Sequence, residues 1–201
     1  MASKNTRIAR GNIGGRFALL LIFCVLGTSV AIAAGPSEKA LWQQFRAGTV
    51  FAMMRHAIAP GTGDPERFAI NDCSTQRNLS EKGREQARTA GKMFRKRGFT
   101  NVAVYSSQWC RCRETAELLA IGPVNDLTSL NSFFEAYERR DDQTRKLKSW
   151  LKTREARGPL LLVTHQVNIS ALTGVGTRSG EILFVKETAG GTYQVLGSIR
   201  P

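Results

Sequence analysis

Histidine and acidic residues are scarce in this chain. Of its 201 residues only two are histidines, His56 and His165, and 16 are aspartates or glutamates, against 29 lysines and arginines. The resulting net charge of +13 predicts a protein that attracts anions. By charge alone, its partner could be nucleic acid, an anionic lipid head group or a phosphorylated small molecule. Because imidazole is so rare here, the positions of the two histidines decide much of what the chain can do.

Cysteine is sparse, and its spacing does not suit the common metal and redox motifs. Cys110 and Cys112 form CRC rather than CxxC, which speaks against zinc binding and thioredoxin-like redox chemistry. In an oxidising compartment we expect Cys73 to pair with either Cys110 or Cys112, because a bridge between the latter two would close an awkwardly small ring. The chain also lacks internal repeats, low-complexity tracts and an aromatic-interleaved basic stretch, so a nucleic-acid partner is not expected.

The N-terminal segment contains the chain's one long apolar run, from Phe17 to Ala33. A polar stretch with four basic residues precedes it, and the small residues AIAAG end it. This layout is typical of a secretory signal peptide over residues 1–33, cleaved after Ala33 or Ala34, and it predicts a periplasmic or secreted protein. The alternative is an uncleaved signal that anchors the protein in the inner membrane. Loss of the four basic residues would lower the net charge from +13 to +9, so peripheral contact with an anionic membrane surface is expected in either case.

Residues 34–201 alternate between short apolar runs and amphipathic segments. We predict strands at residues 49–54 (TVFAMM), 101–107 (NVAVYSS) and 159–165 (PLLLVTH), and an edge hairpin from residues 181–186 and 192–199. Helices are predicted after Ser37, from Ser80 to Gly98, over residues 111–120 and 142–156, and from NISALTG at residues 168–174. The alternation indicates one α/β domain with a mostly parallel sheet, and a long polar loop spans residues 57–78.

Basic and imidazole side chains follow three of the predicted strands. Arg55 and His56 follow the first strand, Arg111 comes soon after the second, and His165 follows the third. The carboxyl ends of parallel strands share one edge of a sheet, so we expect these side chains to lie together. Arginines without clustered carboxylates make a poor metal site but a good phosphoryl site, because guanidinium forks match phosphate oxygens and a neutral imidazole can attack phosphorus.

Four segments resemble the motifs of a known family, the histidine phosphatase or phosphoglycerate mutase-like superfamily. Arg55-His56 looks like the family's RHG signature, with Ala57 in place of glycine, and NLSEKGREQA resembles its LTxxGxxQA segment. SSQWCRCRETAE is similar to SSPLxRAxQTAE. VTHQ resembles VSHG, with Gln166 in place of glycine. The resemblance implies a three-layer α/β/α sandwich, a phosphorylated His56, a phosphate pocket of Arg55, Arg111 and His165, and no metal or cofactor. RHA occurs in exported members that resemble the lipopolysaccharide core heptose phosphatases.

The general acid of the reaction is not evident from the motifs. The family often supplies a glutamate in an LxE segment beyond the second arginine, and Ser132 falls near that position here. Glu135 is the nearest candidate acid, and Asp64 in the GTGDP loop is the alternative. An acid matters less for substrates with a good leaving group, such as a phosphohistidine or an anhydride.

These patterns predict an exported, metal-independent phosphatase that hydrolyses phosphomonoesters through a phosphohistidine on His56. Its substrate is expected to be a small phosphorylated molecule or an envelope sugar phosphate. The alternative hypothesis is a catalytically inactive protein of the same fold that binds a phosphate ligand. Retention of both histidines and both arginines favours the enzyme, and the missing LxE acid favours the binding protein.

Overall fold

Six strands in the described part of the chain form a single sheet. The structure is a computed structural model that describes residues 1–2, 35–154 and 158–201. In chain order the strands are β1 (Phe51–Arg55), β2 (Ala103–Ser106), β3 (Val124–Asp126), β4 (Leu160–Thr164), β5 (Ile182–Glu187) and β6 (Tyr193–Ile199). Their order in the sheet is β3-β2-β4-β1-β5-β6, parallel from β3 to β1 and antiparallel from β1 through β5 to β6. The predicted mostly parallel sheet and its edge hairpin are confirmed.

Five α-helices in the described residues cover both faces of the sheet. They are α1 (Glu38–Arg46), α2 (Glu81–Lys96), α3 (Cys110–Leu119), α4 (Arg140–Thr153) and α5 (Gln166–Thr173). Successive strand residues point to opposite faces, so Ala52 and Met54 of β1 pack in one apolar cluster with α1, α2 and α3. Phe51 and Met53 pack in a second cluster with α4 and α5. The three-layer α/β/α sandwich is therefore confirmed.

Serine caps begin two helices where the sequence predicts them. The Ser37 hydroxyl accepts a hydrogen bond from the Ala40 amide at 3.3 Å, and the Ser80 hydroxyl accepts one from the Gly83 amide at 3.1 Å. Each cap satisfies an amide in the first turn that has no partner within its helix. The Ser80 cap fixes the start of α2, directly after the long loop.

Element ends differ from the sequence prediction in several places. The helix predicted over residues 142–156 begins earlier, at Arg140, because a 3-10 turn at Tyr137–Arg139 runs straight into it. It ends at Thr153, Arg154 is extended, and residues 155–156 of the prediction lie outside the described residues. Helix α5 begins at Gln166, two residues before the predicted start. Strand β3 was not predicted. Its three residues are partly or fully exposed, so it carries no apolar signal and exists through its pairing with β2.

The loop between β1 and α2 is fastened to the start of α3. A disulfide joins Cys73 to Cys110, which resolves the two pairings left open by the sequence. The Cys110 amide also donates to the Gln76 side-chain oxygen at 2.9 Å. Two fixed points thus hold this long loop beside the carboxyl edge of the sheet.

The N-terminal prediction falls almost wholly outside the described residues. Of the predicted signal peptide, residues 1–33, the structure describes residues 1–2 alone. The described residues between 35 and 201 form one compact unit. Within the described residues, no helix has the length and apolar character required to cross a bilayer.

Candidate active site

Both histidines lie at the carboxyl edge of the parallel strands. His56 follows β1 and His165 follows β4, and the His56 amide donates to the Thr164 carbonyl at 2.9 Å, which ties the two strand ends together. The two imidazole ring centroids are 5.5 Å apart. The structure therefore brings the two rings to one place, as the strand-end pattern predicts.

His56 is held as a neutral imidazole. Its Nδ1 lies 2.8 Å from the Ala57 carbonyl oxygen, which can only accept, so Nδ1 carries the proton and Nε2 carries the lone pair. Burial lowers the pKa of His56 to about 3, and the nearby Arg111 charge acts in the same direction. The ring is therefore a ready nucleophile through Nε2 at neutral pH.

His165 is also neutral in this structure. Its Nδ1 accepts from Arg111 Nη2 at 3.5 Å, so Nε2 carries the proton and donates to the Ser107 hydroxyl at 2.9 Å. Burial lowers the pKa of His165 well below its usual value, and the neighbouring His56 and the arginines lower it further. The positive charge of the site consequently comes from its arginines.

Two arginines predicted to bind phosphate line the same cavity as the histidines. Arg55 donates through Nη1 to the Gln166 side-chain oxygen at 3.3 Å and to the Thr177 carbonyl at 3.2 Å. Arg111 is only 2% exposed. The Nε atom of each arginine is a buried donor without a hydrogen-bond partner among the described residues. Such unsatisfied donors are costly unless an acceptor such as a ligand oxygen meets them.

A third arginine in the cavity, Arg77, was missed by the sequence reasoning. Its Nε donates to the Gly63 carbonyl at 2.7 Å, and its Nη1 donates to the Ala59 carbonyl. The only signal in the sequence is its place just before the NLSEKG motif. Arg77 thus holds the long loop in shape and adds positive charge to the wall of the cavity.

The two candidate acids lie in different environments. Asp64 forms a two-pronged ion pair with Arg111, with Nη1–Oδ1 at 2.6 Å and Nη2–Oδ2 at 3.0 Å. Burial raises the pKa of Asp64, but the hydrogen bonds and charge of Arg111 outweigh burial and hold it below its usual value. Glu135 is exposed, and its Oε1 accepts from the Asp64 amide at 2.8 Å. Both line the cavity, and in this structure Asp64 is an ionised partner of Arg111.

The cavity is larger than a phosphate ion and has an aromatic wall. Its volume is about 410 Å³, and its lining includes Phe68, Trp109 and Phe134. Phe68 stacks on Trp109 with ring centroids 4.9 Å apart, and Phe134 remains 53% exposed at the rim. A phosphoryl group bound beside the histidines would therefore leave room for an attached organic group.

Two further features concern metal and thiol chemistry. No group of three or more histidine, cysteine, aspartate or glutamate side chains within the described residues could hold a metal ion. Cys112 is a free thiol whose Sγ lies 3.4 Å from His165 Nε2. Burial raises the pKa of Cys112 to about 12, so this thiol is un-ionised and packs rather than reacts.

Comparison with known proteins agrees with the motifs and the fold. Residues 53–135 match the family model described as histidine phosphatase superfamily (branch 1), which confirms the resemblance predicted from the sequence. A search of curated protein sequences found no match.

Solved structures share the fold at low sequence identity. The protein histidine phosphatase SixA, solved with tungstate, is 17% identical with a TM-score of 0.52, over 76% of this chain and 97% of that one. Mycobacterial glucosyl-3-phosphoglycerate phosphatase, solved with VO3, is 17% identical with a TM-score of 0.54, over 73% of this chain and 96% of that one. At these identities the likeness shows the fold.

Proposed function

We propose that the protein is a metal-independent phosphatase that forms a phosphohistidine on His56. Residues 53–135 match the histidine phosphatase superfamily, and solved phosphatases share the fold. The observation that carries the proposal is the state of His56. Its ring is neutral, carries a lone pair on Nε2, and lies in a cavity lined by four arginines, Arg55, Arg77, Arg111 and Arg139. Neutral imidazole beside guanidinium groups is the combination that phosphoryl transfer to nitrogen requires.

The reaction proceeds in two displacements at phosphorus. His56 Nε2 attacks, the bond from phosphorus to the leaving oxygen breaks, and a proton passes to that oxygen. Water then attacks the phosphohistidine, loses a proton, and releases inorganic phosphate. Arg55 and Arg111 stabilise the charge on the phosphoryl oxygens through donors that include their unpartnered Nε atoms. The Ser107 hydroxyl keeps the His165 ring in position through its contact with Nε2.

A metal ion has no evident place in this chemistry. The cavity wall carries Arg55, Arg77 and Arg111, and guanidinium charges repel a divalent cation. Asp64, the carboxylate nearest to these groups, is already paired with Arg111. The arginines supply the electrostatic stabilisation that metal ions supply in other phosphatases.

Small phosphomonoesters, including envelope sugar phosphates, are the proposed substrates. The cavity of about 410 Å³ accepts a sugar-sized group beyond the phosphoryl position. The stacked Phe68 and Trp109 rings offer a flat apolar wall against which the face of a sugar ring can pack. The net positive charge of the chain favours anionic substrates.

Export to the periplasm is part of the proposal. Two observations support it. In residues 1–33, basic residues come first, an apolar run follows, and small residues come last, as in a signal peptide. The Cys73–Cys110 disulfide is a bond that persists in oxidising compartments. Cell fractionation followed by N-terminal sequencing tests it. We expect periplasmic protein that begins at Ala34 or Gly35, and full-length protein retained in the inner membrane would support the uncleaved anchor instead.

A phosphate-binding protein without turnover is the second candidate. The observation in its favour is that Asp64 already fills the Arg111 fork, so both terminal nitrogens of this arginine have partners. In such a protein the site would bind phosphate ligands without releasing a product.

Hydrolysis of p-nitrophenyl phosphate by the full chain in the presence of EDTA decides between these candidates. We expect EDTA-resistant turnover that His56→Ala lowers by about 10³-fold or more, because the variant lacks the nucleophile. Calorimetric titration with inorganic phosphate shows whether the variant keeps its pocket. Folded wild-type protein that binds phosphate but releases no nitrophenol would favour the binding protein, and turnover that EDTA abolishes would contradict the metal-independent mechanism.

A further inference from the structure

The Asp64 carboxylate is the most fully bonded acidic group of the cavity. Its Oδ1 accepts from Arg111 Nη1 at 2.6 Å and from the Arg77 amide at 3.3 Å. Its Oδ2 accepts from Arg111 Nη2 at 3.0 Å and from the Trp109 indole nitrogen at 2.9 Å. With four donors and 8% side-chain exposure, Asp64 is an anion seated in a preformed anion site.

Asp64 occupies donors that a phosphoryl group would use. Two carboxylate oxygens on the two terminal nitrogens of a guanidinium form the same fork that two phosphoryl oxygens form. Arg111 presents only Nε as a donor without a partner, and this nitrogen alone cannot make a two-pronged contact. A substrate that binds Arg111 through a fork must therefore displace the Asp64 carboxylate.

Displacement requires the Asp64 side chain to turn away from Arg111, while Arg77 Nε still holds the neighbouring Gly63 carbonyl at 2.7 Å. Gly63 has a φ of +68°, a left-handed conformation that glycine adopts without strain, so the chain can turn next to Asp64. The Asp64 amide is held by Glu135, which is exposed, rather than by a buried group. The carboxylate can leave Arg111 while the disulfide keeps the loop as a whole in place.

Displacement changes the proton affinity of Asp64. In this structure burial raises the pKa of Asp64, and Arg111 holds it below its ordinary value. Once a phosphoryl dianion takes Arg111, the carboxylate loses its cationic partner and gains a negative neighbour, and both changes favour the protonated form. Once displaced, Asp64 therefore takes up a proton from solvent, and it returns that proton to solvent when it pairs with Arg111 again.

We propose that Asp64 holds the place of the substrate phosphoryl group on Arg111 and, once displaced, acts as the general acid, so that the substrates are phosphomonoesters of alcohols. This inference rests on the proposed phosphatase function. Glu135 is then a positioning residue, since its carboxylate holds the Asp64 amide. Alcohols are poor leaving groups and need a proton donor, whereas phosphohistidines and anhydrides depend on one much less.

The proton balance closes over the two displacements. When His56 Nε2 bonds to phosphorus, the bond from phosphorus to the alcohol oxygen breaks and the Asp64 proton passes to that oxygen. The Asp64 carboxylate then takes a proton from the water that attacks the phosphohistidine. The products are the alcohol and inorganic phosphate, with His56 neutral and Asp64 protonated until phosphate leaves and Asp64 returns to Arg111.

The first test compares leaving groups in the full chain and its Asp64→Asn variant. Asparagine keeps the size of the side chain but cannot donate the acid proton. We expect kcat/KM for glycerol phosphate to fall by about 10²–10⁴-fold, and kcat/KM for 2,4-dinitrophenyl phosphate to change by less than about tenfold. Glu66→Gln, at an exposed carboxylate of the same loop, is the matched control and should leave both values unchanged.

The second test measures binding of inorganic phosphate by calorimetry. Removal of the competing charge should tighten phosphate binding several-fold in Asp64→Asn, and Asp64→Ser provides a second uncharged variant if the first does not fold. Unchanged or weaker phosphate binding in the folded variants, or equal losses on both esters, would overturn the inference. In that case the wild type would still hydrolyse the dinitrophenyl ester, and only the role of Asp64 would be wrong. A wild type that does not hydrolyse this ester would instead contradict the proposed phosphatase function itself.

Discussion

Burial of His56 links the proposed nucleophile to the stability of the fold. A histidine in the unfolded chain has a pKa near 6.5, and the folded protein lowers the pKa of His56 to about 3. Between these two pH values the unfolded state binds more protons than the folded state. The free energy of unfolding therefore falls as the pH is lowered through this window. His165, whose pKa is lowered for the same reason, adds to the effect.

His56→Asn should flatten this dependence. We expect the wild-type free energy of unfolding to fall between pH 6 and pH 4, with His56 contributing about 1.4 kcal/mol per pH unit. The variant should lose that contribution and keep the contribution of His165. Urea denaturation at four pH values in this range measures both slopes. Identical slopes would mean that His56 is not held neutral by the fold.

We expect the Arg111 guanidinium to contribute to activity through its shape as well as its charge. Arg111→Lys keeps a positive charge but loses the fork, so we expect kcat/KM for p-nitrophenyl phosphate to fall by about 10²–10³-fold. Arg113→Lys is the matched control, because Arg113 lies on the same helix and forms an exposed ion pair with Asp126. Steady-state kinetics of the two variants checks this, and equal activities would rule out a fork at Arg111.

Single residues were predictable from the sequence where their role depends on local order. Arg55, His56 and His165 lie at the ends of apolar strands and Arg111 lies within a family motif, so strand order and the resemblance together grouped them. Arg77 and the contact between Asp64 and Arg111 depend on how a long loop folds back over the sheet. Hydrophobic periodicity carries no information on such a contact, because the loop has none.

At the scale of elements, the loop between β1 and α2 is what completes the cavity. It supplies Asp64, Phe68 and Arg77 to the wall, and the Cys73–Cys110 disulfide ties it to the first turn of α3. The strands and most helices were predictable because each buries an apolar face. Strand β3 and the start of α4 were not, since pairing with β2 and a preceding 3-10 turn determine them.

Loss of the disulfide should weaken both the fold and the site. The double variant Cys73→Ser/Cys110→Ser should lose about 2–4 kcal/mol of unfolding free energy, because the unfolded chain regains conformational entropy. KM for p-nitrophenyl phosphate should also rise, since the loop that lines the cavity is released from α3. Urea denaturation and steady-state kinetics measure these effects.

Reductant supplies the control for the disulfide. It should bring the wild type to the behaviour of the double variant and should leave the double variant itself unchanged. A wild type whose stability and KM do not respond to full reduction would contradict an anchoring role for this bond.

At the scale of the whole molecule, the net positive charge favours the proposed anionic substrate. The chain has a net charge of +13, and four arginines line the cavity. Such a field speeds the encounter with anions and is screened by salt, with a Debye length of about 10 Å at 0.1 M ionic strength. We expect kcat/KM for p-nitrophenyl phosphate to fall several-fold between 20 mM and 500 mM sodium chloride, with little change in kcat. Steady-state kinetics over this range checks it, and a fall confined to kcat would contradict electrostatic attraction.

The covalent intermediate on His56 is the central claim, and rapid quenching tests it most directly. The full chain is mixed with p-nitrophenyl phosphate, quenched in alkali, in which phosphohistidine survives, and digested for mass spectrometry. We predict a phosphoryl group on His56 in the wild type and none at this position in His56→Ala. Turnover by the wild type without any phosphorylated His56 would contradict the account, and so would phosphate found on another residue.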